Sequence, residues 1–127
     1  DAVRLGMHEV VNSEKGTAQS SRIVDPAMVM AGKTGTSQVR NITAAERASG
    51  VIANEDLPWN RRDHALFVAY APYDAPRYAV AVVVEHGGGG STVAAPIARD
   101  VLLRGLSGGR RSLDAYPVSQ RGLIETM

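Results

Sequence analysis

The densest group of chemically useful side chains in this 127-residue chain lies between positions 31 and 39. The segment reads AGKTGTSQV, and it brings an ammonium group, several hydroxyls and two glycines together. Glycines in a strand allow a ligand or another backbone to come close, and a fixed positive charge with hydroxyl donors stabilises an anion. Two kinds of site fit these residue types: a phosphate-binding loop, or one wall of an acyl-transfer cleft.

The phosphate-binding interpretation fails on spacing. Gly32-Lys33-Thr34 resembles the end of a P-loop, but that motif requires a glycine where this chain has Ala27. A helix should also begin at the Lys-Thr pair, whereas Gly35 interrupts it. The run Gly87–Gly90 could bind an anion before a helix, yet no lysine follows it. We interpret that run as a flexible turn between a strand and a helix.

The elements that must position segment 31–39 follow from apolar spacing and from turn residues. A helix is predicted over 2–12, an extended segment over 27–39, strands over 64–71 and 78–84, and a helix over 91–106. The two later strands should form an antiparallel hairpin. The predicted fold class is α+β, with a three-stranded antiparallel sheet packed with N- and C-terminal helices.

The cover of this predicted sheet is incomplete. Strands 64–71 and 78–84 are apolar at nearly every position, which is typical of strands covered on both faces. The two predicted helices are expected to cover one face only, so part of the cover should come from elsewhere.

Two further segments have weaker signals. Residues 40–63 lack periodicity and are expected to form a long functional or mobile loop, with a helical turn at 44–47 and Trp59 as a packing anchor. Residues 107–127 are expected to be a polar C-terminal tail with one short strand near Pro117-Val118.

Composition excludes several classes of function. Lys and Arg number 14 against 13 Asp and Glu, so no strong field favours nucleic acid or an anionic membrane. The absence of cysteine excludes disulfides and thiolate chemistry and argues against zinc. No apolar run reaches the ~20 residues that a membrane-spanning helix needs.

Lys-Thr-Gly on a strand is one of three sequence elements of serine acyl-transfer enzymes that react with β-lactams. In its order and spacing the chain resembles the penicillin-binding transpeptidases, most closely the class B group of the penicillin-binding protein 2 type. The resemblance covers about 5–106 and rests on Gly16-Thr17-Ala18, on 31–39, on His64 to Pro72, and on Tyr78 to Glu85 with the glycines that follow.

The resemblance implies roles for four residues of the Lys-Thr-Gly segment. The backbone N–H of Thr36 would be one donor to the oxyanion, and Lys33 would add positive charge and hold the proton network. The hydroxyls of Thr34 and Thr36 would bind the carboxylate of a stem peptide or a penicillin. Gly35 would let the substrate lie along the strand as an added extended segment.

Two elements of the family pattern are missing from the sequence. No serine has Lys three residues later or Asn two residues later, so neither Ser-x-x-Lys nor Ser-x-Asn is present. In the family both precede the Lys-Thr-Gly strand. We therefore expect residues 1–106 to be the C-terminal portion of a transpeptidase domain, inactive alone. The strand at 78–84 would then have an open apolar edge through which the chain could self-associate.

For the whole protein, the resemblance implies a bacterial peptidoglycan D,D-transpeptidase that cross-links stem peptides and is acylated by β-lactams. It implies a role in elongation and cell shape beside a membrane glycosyltransferase, and it implies no metal and no organic cofactor. The catalytic domain would lie on the periplasmic face of the inner membrane, anchored by an N-terminal helix. Two alternatives stay open: a D,D-carboxypeptidase that shares the site, and a non-catalytic interaction module that uses the strand edge.

Overall fold

The computed structural model describes residues 1–110 and 112–126. The helices and strands follow one another along the chain in this order: α1 (Ala2–Asn12), β1 (Ala31–Ser37), α2 (Ala44–Ser49), β2 (His64–Ala71), β3 (Tyr78–Val84), α3 (Ala95–Leu106) and α4 (Val118–Glu125). Short 3-10 turns lie between them, and a single π turn, Gly90–Ala94, leads into α3. Within the described part of the chain, no helix combines the length and apolarity that crossing a bilayer requires.

The three strands form one antiparallel sheet in the order β1-β2-β3. Lys33 lies opposite Val68, and Phe67 lies opposite Val82. The predicted three-stranded sheet, the hairpin and the α+β class are confirmed.

The two faces of the sheet differ in cover. Along β2 every second residue from Ala65 to Ala71 is buried, and Phe67 is completely buried. On the opposite face Val68 is 47% exposed, and Val83 of β3 is 61% exposed. The expectation that both faces are covered is therefore met on one face only by the described residues. We call the two sides the Phe67 face and the Val68 face.

Helices α1 and α3 lie on opposite faces, which corrects the expectation that both would cover one. On the Val68 face, Arg4 of α1 donates to the hydroxyl of Tyr70, and Met7 borders the same open groove as Val68. On the Phe67 face, α3 packs against β2 and β3, and Gly105 lies against the ring of Tyr78. The sequence shows that each helix is amphipathic, but it does not show which face of the sheet each helix packs against.

Both outer strands are edges of the sheet. Neither β1 nor β3 pairs with a second strand within residues 1–110 and 112–126. On β3, Tyr78 at the start of the strand is 45% exposed and Val83 near its end is 61% exposed. This agrees with the open apolar edge expected for 78–84, a surface that favours pairing with another strand.

Two predicted boundaries are wrong by a few residues. Strand β1 begins at Ala31 rather than at 27, because Asp25 accepts a hydrogen bond from the Ala27 N–H at 2.8 Å and closes a 3-10 turn over Pro26–Met28. At the other helix, residues 90–94 form a π turn, so α3 begins at Ala95 rather than at 91, while its end at Leu106 is as predicted.

The C-terminal segment is helical where the sequence predicts a tail with a short strand near Pro117-Val118. A 3-10 turn, Leu113–Ala115, precedes α4, and Ala115 and Tyr116 are buried. The side chain of Gln120 accepts a hydrogen bond from Arg99 and donates one to the carbonyl of Ser20 at 2.5 Å. These bonds hold α4 against α3 and the turn after α1. Arg111 and Met127, which belong to the predicted tail, lie outside the described residues.

Candidate active site

The four predicted site residues lie together on the edge strand β1. Lys33 and Thr36 are exposed, while Thr34 and Gly35 are half-buried. The ammonium of Lys33 donates to the carbonyl of Thr34 at 2.8 Å, and no ion pair within 1–110 and 112–126 includes it. The segment therefore presents an unpaired positive charge and hydroxyls to solvent, a combination suited to binding an anion.

The glycines of β1 are required by close packing against β2. A Cβ at Gly32 would lie 2.5 Å from the ring of Phe67 and 2.8 Å from the carbonyl of Val68. A Cβ at Gly35 would lie 3.2 Å from Cβ of Leu66, which is a tight contact. The absence of side chains at these two positions thus lets β1 lie close to β2.

A second wall of the site comes from the turn after α1. The hydroxyls of Thr17 and Thr34 lie 3.4 Å apart. Gly16 permits this turn, because a Cβ there would lie 2.5 Å from the carbonyl oxygens of both Glu9 and Val10. Thr17 belongs to the Gly-Thr-Ala motif but was not predicted as a site residue. Its contact with Thr34 makes it a candidate substrate-binding residue.

The glycine-rich turn after β3 supports β1 from the Phe67 side. Gly90 is buried, and a Cβ on it would lie 2.6 Å from the carbonyl oxygen of Gly35 and 2.4 Å from that of Leu66. The prediction of a strand-to-helix turn at 87–90 is confirmed. Sequence reasoning missed its second role, which is to support the Lys-Thr-Gly backbone.

The long loop between β1 and β2 is tied to the end of the site. Asp63 accepts hydrogen bonds from the Val39 N–H and from the side chain of Asn54, each at 3.3 Å. The Gly88 N–H donates to the carbonyl of Asp63 at 2.9 Å, which links the loop to the glycine-rich turn. Trp59 packs edge-on against His86 at 4.5 Å while remaining 61% exposed. These hydrogen bonds therefore hold the loop next to the end of β1 and next to the glycine-rich turn.

An ion pair organises the middle of this loop. Thr43 caps α2, and both carboxylate oxygens of Glu46 accept from Arg40, at 2.6 and 2.8 Å. The same carboxylate accepts from the Ile52 N–H at 3.2 Å. These hydrogen bonds, led by that from Arg40, lower the pKa of Glu46 from 4.5 to about 2.

The order of this loop should consequently depend on pH in the acidic range. Because the folded-state pKa of Glu46 is depressed, its stabilising contribution is complete above pH ~4.5 and is lost as the pH falls towards 2. We expect the carboxyl ¹³C resonance of Glu46 to titrate with a midpoint near 2, and the Ile52 amide to exchange faster as that midpoint is approached.

A glutamine substitution separates this effect from general acid unfolding. Glu46→Gln should speed Ile52 amide exchange at neutral pH and remove its acid dependence in this range. Glu55→Gln, an exposed change in the same loop, should leave both unchanged. A Glu46 midpoint near 4.5 would contradict the ion pair.

Comparison with known proteins gives the same family as these motifs. The model of the penicillin binding protein transpeptidase domain matches residues 1–103. Peptidoglycan D,D-transpeptidase MrdA of Haemophilus influenzae is 41% identical over 102 residues, 80% of this chain and 15% of the relative. MrdA of Escherichia coli K12 is 40% identical over 88 residues, 69% of this chain and 13% of the relative. The chain thus spans about 15% of the length of the first of these curated relatives.

Solved structures agree with the sequence comparison. Pseudomonas aeruginosa PBP2 in complex with WCK 5153 superposes with a TM-score of 0.60 at 38% identity, over 91% of this chain and 21% of that one. Helicobacter pylori PBP2 in its complex with MreC gives a TM-score of 0.61 at 34% identity, over 84% and 17%. The chain belongs to the penicillin-binding protein transpeptidase domain family, with relatives of the MrdA/PBP2 type, and comprises part of that domain.

Proposed function

We propose that this chain is part of a peptidoglycan D,D-transpeptidase, in which it supplies the Lys-Thr-Gly wall of a serine acyl-transfer site. The observation that carries the proposal is the edge strand β1, which presents Lys33, Thr34 and Thr36 beside Thr17. An exposed strand edge with an adjacent positive charge can bind an extended peptide that ends in a carboxylate. The names of the curated relatives support this substrate class.

Within this site each residue has a distinct proposed role. The Thr36 backbone N–H donates to the developing oxyanion, which a fixed dipole stabilises without reorganisation. Lys33 supplies positive charge and holds the proton network. The hydroxyls of Thr34 and Thr36 bind the carboxylate of the stem peptide or of a β-lactam, and Gly35 leaves room for the substrate backbone.

The nucleophile is proposed to come from outside these 127 residues. Serine acyl transfer in this family needs Ser-x-x-Lys, which the sequence does not contain. We therefore propose that the chain alone forms no acyl-enzyme. The whole protein is proposed to act on the periplasmic face of the inner membrane during elongation of the cell wall, held by an N-terminal membrane helix. A membrane glycosyltransferase is its proposed partner, and the MreC complex of the Helicobacter pylori relative supports a place among elongation proteins.

A fluorescent penicillin tests this assignment directly. The 127-residue chain should remain unlabelled after denaturing electrophoresis, whereas the full-length protein that carries it should be labelled in a reaction that unlabelled penicillin blocks. Labelling of the chain itself would show that it contains a nucleophile. A full-length protein that is folded but never labelled would favour a non-catalytic interaction module, for which the open β3 edge is the available surface.

A further inference from the structure

A cavity of about 110 Å³ lies between α3, the turn that follows it, and α4. Its buried lining is apolar and includes Leu103, Ala115 and Tyr116, with Ile124 of α4 half-buried beside them. Its exposed lining includes Arg104 and Arg110 together with Asp100. The cavity therefore has an apolar interior and a cationic opening.

The turn that ends α3 brings the two arginines to the same opening. Gly108 and Gly109 have φ values of 64° and 89°, a left-handed conformation that glycine adopts without strain. The Gly109 N–H donates to the carbonyl of Arg104 at 2.9 Å, and the Ser107 hydroxyl donates to the carbonyl of Arg110 at 2.6 Å. These bonds fold the chain back so that Arg110 lines the cavity together with Arg104.

The positive charge at this opening is not neutralised within the described residues. Neither Arg104 nor Arg110 has a side-chain hydrogen bond or an ion pair with any residue of 1–110 and 112–126. Asp100 also lines the cavity, but its carboxylate accepts a hydrogen bond from Arg99 at 2.9 Å. Two guanidinium groups, each able to bind a carboxylate in a bidentate manner, are thus left available.

The cavity is separate from the transpeptidase wall in space and in sequence. It is lined by Met28 and by described residues between 100 and 124, and none of Lys33, Thr34 and Thr36 borders it. Most of its lining, from Arg104 onward, follows the segment 1–103 that the family model matches. An occupant would not compete with a β-lactam.

We propose that this cavity binds a small carboxylate that carries a branched apolar group. The apolar group lies against Leu103, Tyr116 and Ile124, and the carboxylate lies between Arg104 and Arg110. Size limits the ligand, because a cavity of roughly 150 Å³ holds benzene and this one is smaller. A short branched chain such as that of 3-methylbutanoate fits this description, either as a free acid or as the leucine side chain at a peptide C-terminus.

Ligand-observed NMR titration of the full-length protein tests the proposal with 3-methylbutanoate and its uncharged amide. The acid should bind saturably at one site, and the amide should bind at least tenfold more weakly. The double substitution Arg104→Gln/Arg110→Gln should weaken acid binding at least tenfold. Arg47→Gln, an exposed charge removal on α2, should leave it unchanged. Equal binding of acid and amide, or full binding by the folded double variant, would overturn the proposal.

Two further measurements strengthen the test. Ile124→Phe fills the cavity from its half-buried side and should abolish binding while the arginines remain. Retention of binding would place the ligand elsewhere and contradict the proposal.

Acetyl-glycyl-leucine distinguishes the two sources of the carboxylate: tighter binding than 3-methylbutanoate indicates a peptide C-terminus, and weaker binding indicates a free acid. Penicillin labelling measured in parallel should be unaffected by any of these changes, so failure here is distinguishable from failure of the proposed transpeptidase function.

Discussion

Gly90→Ala is expected to destabilise the transpeptidase domain by about 3 kcal/mol, at the upper end of the usual cost of overpacking. The added Cβ would meet the carbonyl oxygens of Leu66 and Gly35 and the Gly35 nitrogen, at 2.4, 2.6 and 3.1 Å. All three atoms belong to the backbone, so no side-chain rotation relieves the contact. Either β1 moves away from β2, or the π turn that begins at Gly90 moves away from both.

The same substitution should also impair acylation beyond its effect on folding. Displacement of Gly35 moves the adjacent Thr36 N–H, the proposed oxyanion donor, and misplacement by about 1 Å can cost on the order of 10²-fold in rate. The measurements are the thermal unfolding of the domain and the second-order rate of penicillin acylation in the full-length protein, assayed well below the unfolding temperature.

A matched control comes from another glycine of the chain. A Cβ at Gly6, within α1, would have no atom within 4 Å apart from its chain neighbours and the backbone of its own helix. Gly6→Ala should therefore stabilise the helix by up to about 1 kcal/mol and leave acylation unchanged. If Gly90→Ala proved as harmless as Gly6→Ala, the glycine-rich turn would not support β1.

The sequence was sufficient where local signals were strong. Strands β2 and β3 have the predicted bounds, because long apolar runs end at Pro72 and near Glu85. Helix α1 is also predicted correctly, since Val3, Met7, Val10 and Val11 repeat at helical spacing. These elements fix the hairpin, and the Lys-Thr-Gly motif then makes β1 the candidate functional strand.

What the sequence could not provide depends on tertiary contacts. Thr17 and Thr34 meet only because Gly16 turns the chain back from α1 onto β1. The position of Gly90 beneath Gly35 is likewise a contact between residues far apart in sequence. Neither contact leaves a periodic signal, although the Gly-Thr-Ala and glycine-rich motifs mark their positions.

Helix α4 shows the same limit in another form. Residues 118–125 read VSQRGLIE, a short segment with a central glycine and little intrinsic helix preference. The helix forms against a buried arginine, because Gln120 bridges Arg99 and the carbonyl of Ser20. Arg99 itself is only 3% exposed and lies over the ring of Tyr116 at 4.7 Å. A buried cation with several partners thus orders the segment predicted to be a tail, together with Ile124, which packs against the core.

Lys33→Ala should lower the rate of penicillin acylation in the full-length protein by on the order of 10²–10³-fold, because the charge proposed to hold the proton network is lost and groups that assist proton transfer contribute about 10²–10⁴-fold. Folding should be unaffected, because Lys33 is exposed and its ammonium donates a hydrogen bond to the carbonyl of Thr34 at 2.8 Å.

The chain contains one other lysine, Lys15, which is also exposed and lies in the turn after α1. Lys15→Ala is therefore the matched control for the loss of one positive charge. Stopped-flow acylation kinetics of the two variants separate a specific role from the general field of the protein. Equal rates for Lys33→Ala and Lys15→Ala would contradict the assignment of Lys33. A large loss confined to Lys33→Ala would show that charge is needed at this point of β1, beside the two threonines that are proposed to hold the substrate carboxylate.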